Sequence, residues 1–182
     1  MGLDIFIRRA KNSNSTIEQN FTKFFEEFDE NSTVEKMQEL AKKYGVLDRL
    51  NIETSSYIGE GEQKVSYVTA GRTDMEDAGY FRKHNHLVAY FKYEENCSDK
   101  ELAKCEVKDC ITACKQVLKH WGKDDFESVA EELMPTESGF FFGSTEYDEY
   151  YKEKLEEDIK VFTNVLKNTD WDNDIVYFHC WW

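Results

Sequence analysis

Proline and glycine are scarce: one Pro, Pro135, and nine Gly in 182 residues leave no legible linker, so one domain with a single proper core is predicted. Cations are outnumbered too. Lys and Arg total 23 against 37 Asp and Glu, a formal net charge of -14. A sequence-independent grip on duplex nucleic acid or an anionic membrane needs bases to neutralise phosphates, so neither is an expected partner. Acidity of this kind mostly confers solubility, and it also suits a protein that covers a basic surface or mimics nucleic acid. No apolar run is long enough to span a bilayer. The opening Met1 to Ile7 alternates and does not read as a basic-then-apolar leader, and Phe6 breaks the myristoylation pattern. Five cysteines without an export signal predict reduced thiols in a cytoplasmic protein.

Catalytic signatures are missing as well. There is no Walker loop, no dinucleotide fingerprint and no Gly-x-Ser-x-Gly elbow. Cys105, Cys110 and Cys114 follow one another at spacings of five and four, without a Cys-x-x-Cys knuckle. No catalytic residue, metal or cofactor is therefore predicted.

Helix and strand signals are abundant. Ser15-Thr16-Ile17-Glu18, Ser32-Thr33-Val34-Glu35 and Ser98-Asp99-Lys100-Glu101 match the capping box and predict three helix starts. Ile17, Phe21, Phe24, Phe25 and Phe28 form the apolar stripe of the first helix, and Gly45 stops the second. Period-two alternation predicts strands at Leu3–Arg9, Lys64–Ala70 and Asp174–Trp182. A helix is predicted from Asp77 to Tyr93. Another carries Val107, Cys110, Cys114 and Val117 on one face, with a break near Lys104 to Glu106, and a short one runs from Asp125 to Leu133. The last begins at Ser144 or Thr145 and reaches about Lys167. The class is α+β: a small, largely antiparallel sheet covered by five to six helices.

Two segments invite ligand chemistry. Arg82, Lys83 and Asn85 combine a guanidinium fork, an ammonium and an amide, which suits an anionic, hydrogen-bonding ligand. On the predicted helix His84 points inward and His86 outward, so the pair is not expected to share a metal. Gly139 to Tyr151 places Phe140, Phe141 and Phe142 between two glycines. Gly143, Ser144, Thr145 and Tyr147 then offer a close backbone approach, helix-start amides and a ring for stacking. Glu146, Asp148 and Glu149 oppose an incoming phosphate in that first turn. Asp158 falls on the apolar stripe of the last helix, so a cation or donor, from Arg82, Lys83 or a tyrosine, is expected to meet it.

The opening Met1-Gly2-Leu3-Asp4, the aromatic-Arg-Lys-x-Asn segment at residues 81–85 and the Gly139 to Tyr151 block together resemble an uncharacterised phage and prophage protein family. The family usually has small residues at the positions of His84 and His86 and a histidine at that of Val88, which leaves Arg82, Lys83 and Asn85 as the family-like groups. The resemblance implies a phage-type accessory protein in the host cytosol. Residue chemistry adds the ligand: a small anion, with a nucleotide signal as one form, sequestered in counter-defence. The alternatives are an acidic inhibitor of a host protein, acting through Glu149, Glu153, Glu156 and Glu157, and a small enzyme acting on a phosphorylated substrate. Sequence alone assigns no oligomeric state.

Overall fold

A computed structural model describes residues 2–59, 63–93 and 99–182. The class is α+β, with antiparallel sheets. Contacts divide the chain into two compact units, 1–9 with 77–182 and 10–76.

The smaller unit pairs β2 (Leu50–Ile58) with β3 (Lys64–Arg72) in register from Leu50 opposite Arg72 to Ile58 opposite Lys64. Helices α1 (Ser15–Glu26) and α2 (Val34–Lys43) accompany this ribbon. Phe21, Phe24, Ala41 and Val46 form the small core. The caps lie one residue from their predicted positions. Asn14 Oδ1 accepts from the Thr16 and Ile17 amides, and Thr33 caps α2 through the Lys36 amide. Phe25, expected inside, is 42 % exposed.

The larger unit is built on a four-stranded sheet in the order β4 (Met75–Arg82), β1 (Asp4–Ala10), β6 (Ile175–Trp181), β5 (Lys100–Leu102). Its helices are α3 (Asn85–Phe91), α4 (Lys104–Lys119), α5 (Phe126–Leu133) and α6 (Glu149–Asn168). The central strands bury alternate residues, Ile5 and Ile7 from β1 with Val176 and Phe178 from β6. Helix α4 contributes Val107, Cys110, Cys114 and Val117, and α6 contributes Leu155, Phe162 and Val165. Gly79 in β4 lies against α6: a Cβ there would stand 2.5 Å from Val161 Cγ1. Among the described residues, no helix is long and apolar enough to cross a membrane.

Three predicted elements are corrected. Residues 77–82 are strand, so the helix expected over Asp77 to Tyr93 shrinks to Asn85–Phe91. The junction is Lys83, whose φ of 61° lies in the left-handed region and stops the strand. The box at Ser98 to Glu101 does not open a helix, because Lys100–Leu102 pairs with β6; Ser98 itself lies outside the described residues. Helix α4 instead starts after Ala103, whose amide donates to Glu106 Oε2 at 2.8 Å. Finally, α6 begins at Glu149 rather than Ser144 or Thr145. Asp148 caps it by accepting from the Tyr151 amide at 3.0 Å, since a carboxylate answers the orphan amides better than Thr145.

Candidate functional site

The end of β1 and the end of β4 are tied by backbone: Lys83 N–H donates to Leu3 O at 2.8 Å, and Leu3 N–H donates to Phe141 O at 3.0 Å. Leu3 thus stitches the β4–α3 corner to the loop before α6. Three segments far apart in sequence meet there. A Cβ on Gly2 would lie 3.2 Å from Arg82 Nη2, and one on Gly143 would lie 3.4 Å from Lys83 Cβ. Gly143 has φ of 91°, a backbone that side chains rarely adopt. Asn85, buried at the start of α3, donates through Nδ2 to Ser144 O at 3.0 Å.

The predicted ligand groups separate into those that converge and those already engaged. Lys83, Asn85, Gly143 and Ser144 converge. Arg82 is exposed and its Nη1 meets Asp4 Oδ1 at 3.3 Å, with Tyr80 Oη donating to the same oxygen at 2.5 Å. Thr145 and Tyr147 serve the loop: Thr136 Oγ1 donates to Thr145 O at 3.0 Å, and the Thr136 amide donates to Tyr147 Oη at 3.4 Å. Their amides are not those of a helix start, which removes the predicted role in holding an anion. The phenylalanine block also divides. Phe142 is buried with its ring 5.0 Å from Trp182, whereas Phe140 is 95 % exposed.

Lys154 escaped the sequence reading. It lies one turn before Asp158 and three residues after Tyr151, on the buried face of α6, and only 5 % of it is exposed. Its Nζ donates to Lys83 O at 2.7 Å and stands 4.6 Å from the centre of the Tyr150 ring. Among the described residues, neither Lys83 nor Lys154 forms an ion pair. Two carboxylates influence Lys154, and both are committed, Asp148 to the helix cap and Asp158 to histidines. Burial pulls the Lys154 pKa below its ordinary value, against Asp148 and Asp158, and Lys83 beside it adds to the fall.

Asp158 does lean into the core, but neither Arg82 nor Lys83 meets it. His84 Nδ1 lies 2.7 Å from Asp158 Oδ1, and His86 Nε2 lies 2.5 Å from Asp158 Oδ2. All three side chains are buried. His84 Nε2 faces Glu157 Oε2 at 3.2 Å. His86 Nδ1 has no hydrogen-bond partner, and the Tyr151 ring stands perpendicular to the imidazole at 5.4 Å between centroids. The expectation that the histidines diverge presumed a regular helix through residue 84. His84 instead precedes α3 with φ -85° and ψ 64°, and the corner at Lys83 turns both rings to one side.

Burial raises the Asp158 pKa, but His86 and His84 outweigh it and hold the carboxyl below its ordinary range. Burial lowers that of His86 against the pull of Asp158, so the ring favours its neutral form. Behind them, a hydrogen bond to Cys110 and burial push the Cys114 thiol up, which makes Cys114 an inert core residue.

Two chemically distinct constellations therefore share the β4–α3 corner and α6: a pair of ammoniums without a direct ion pair beside a glycine turn, and a buried carboxylate between imidazoles. No family model, curated protein or solved structure matches the chain.

Proposed function

We propose that the protein binds a small phosphate-bearing anion, of which a nucleotide is the expected class, at Lys83 and Lys154 beside the Gly143–Ser144 turn. The observation that carries this reading is the pair of adjacent ammoniums without a carboxylate partner, in a chain with net charge -14. A half-buried lysine cluster is costly unless an anion compensates it. In a protein so rich in Asp and Glu, leaving it without a direct ion pair favours a ligand over a surface salt bridge. Gly143 supplies an approach free of side chain, and the Asn85 amide fixes the turn from behind. Non-catalytic sequestration needs no more than this.

The test is calorimetric titration of the full chain with inorganic phosphate and a nucleotide panel. Lys154→Met keeps the buried stem and removes the charge; affinity should fall about ten- to a hundredfold, the equivalent of about 1.5–3 kcal/mol for a charge-assisted bond. Lys83→Ala should act in the same direction. Arg82→Ala should matter less, because Asp4 already holds that guanidinium. Binding should weaken with rising pH earlier than for an ordinary lysine site, since the charged form of Lys154 is the one that binds. No heat from phosphate or from any nucleotide would overturn the proposal.

A further inference from the structure

From the convergence of His84 Nδ1, His86 Nε2 and both oxygens of Asp158 in the core, we infer that these residues bind a divalent first-row transition ion, zinc being the natural occupant. One nitrogen from each ring and the Asp158 carboxylate lie within 4.8 Å of one another. Two imidazoles and a carboxylate are ligands that zinc, iron and cobalt accept and that calcium and magnesium, which want oxygen, do not prefer. With Asp158 bidentate, three residues supply four donor atoms.

The outer nitrogen of His84 adds an independent observation. It stands 3.2 Å from the Glu157 carboxylate, a charge contact rather than a hydrogen bond. In metal sites the ligating histidine characteristically gives its second N–H to a carboxylate, which fixes the tautomer and turns the inner lone pair towards the ion.

The fit calls for an adjustment. A tetrahedral ion at about 2.1 Å from a ring nitrogen and a carboxylate oxygen separates them by about 3.4 Å. The observed 2.7 and 2.5 Å are shorter, so the ion spreads the side chains by less than about 1 Å. Asp158 lies on α6, whereas His84 and His86 flank the start of α3. The ion would pin a helix to a strand–helix corner, and this does not depend on the anion proposal.

The experiment uses full-length protein purified without chelator and with any affinity tag removed. Elemental analysis should find close to one equivalent of zinc or another first-row ion per chain. After chelation, cobalt should restore a visible absorption spectrum at one equivalent, and zinc should raise the melting temperature. Glu157→Gln, a change at the exposed outer carboxylate, should fold and weaken binding about ten- to a hundredfold. His86→Gln should abolish it. Replacing the remaining histidines, His120→Gln with His179→Gln, should leave it intact. Protein that carries no metal, gives no cobalt spectrum and melts unchanged with every ion would overturn the inference. Loss of the ion only in the His120/His179 variant would overturn it equally, by assigning the metal to the surface.

Discussion

Each unit of the molecule holds a carboxylate between two nitrogen bases, and the two arrangements differ in what those bases can do. In the smaller unit Asp74 takes Arg72 at 2.9 Å and Arg49 at 3.1 Å, and Arg72 also reaches Glu18 while lying 3.8 Å over the Phe21 ring. Guanidiniums carry permanent charge and no lone pair, so this network can only clamp the β3–β4 turn to α1. In the larger unit Asp158 takes His84 and His86, which have lone pairs and lie beyond the reach of solvent. Fixed charge at a partly wet site makes a structural clamp, whereas a dry site of imidazoles retains the capacity to ligate.

The sharpest break of this comparison is Asp158→Ala. It strands two buried rings and removes a paired charge, and it should cost about 3–5 kcal/mol of stability in denaturant unfolding. Tryptophan fluorescence reports on it directly, because Trp121, Trp171, Trp181 and Trp182 all belong to the larger unit. Arg72→Ala should cost less, about 1.5–3 kcal/mol, since Arg49 remains on Asp74 and water can reach Glu18. Amide exchange confined to residues 10–76, with fluorescence unchanged, would mark that loss as local; equal effects in both units would dissolve the contrast.

Acid separates the two further. Burial raises the Asp74 pKa, yet Arg72 and Arg49 outweigh it and leave it depressed. Its contribution is therefore fully present above the unfolded aspartate value, about 3.9, and is lost as pH falls through the lower folded value. Amides of residues 10–76 should retain protection at pH 5 and lose it on further acidification, with Arg72→Ala shifting that loss upward. The smallest effect is expected from Glu149→Gln, Glu153→Gln and Glu156→Gln together, on an exposed face where Lys152 meets Glu149 at 2.7 Å. Stability should move by no more than about 0.5 kcal/mol. Loss of a basic partner in a pull-down with this variant alone would favour the acidic-inhibitor alternative.

The elements legible in the sequence are those with a broad apolar stripe. Helix α4 with Val107, Cys110, Cys114 and Val117, and α6 with Tyr151, Leu155 and Phe162, were readable because burial enforces the period. Strand β2 was not, since residues 50–58 are mostly exposed and no side of them had to be apolar. The β4–α3 region misled for a different reason: Tyr80, His84, Leu87 and Phe91 satisfy a helical stripe by coincidence, and nothing local announces a lysine with positive φ. Asp158 was legible as a polar group on a buried face, but its partners depended on that corner. Lys154 had the same signal, a charge in line with Tyr151 and Asp158, and a long stem that can snorkel made it easy to pass over.

Gly79 acts as a spacer gauge. With only a hydrogen at this position, α6 lies close enough to the strand for Val161 Cγ1 to stand 2.5 Å from where a Cβ would be, and Asp158 lies one turn earlier on the same helix. Gly79→Ala adds a single methyl whose nearest neighbours are the apolar side chains of Val161 and Ile7. It would lift the helix as a lever lifts at its fulcrum, and the first quantity to change would be the separation between carboxylate and imidazole rather than the integrity of either element. A backbone position without chemistry of its own thus sets the tolerance to which the chemistry is machined.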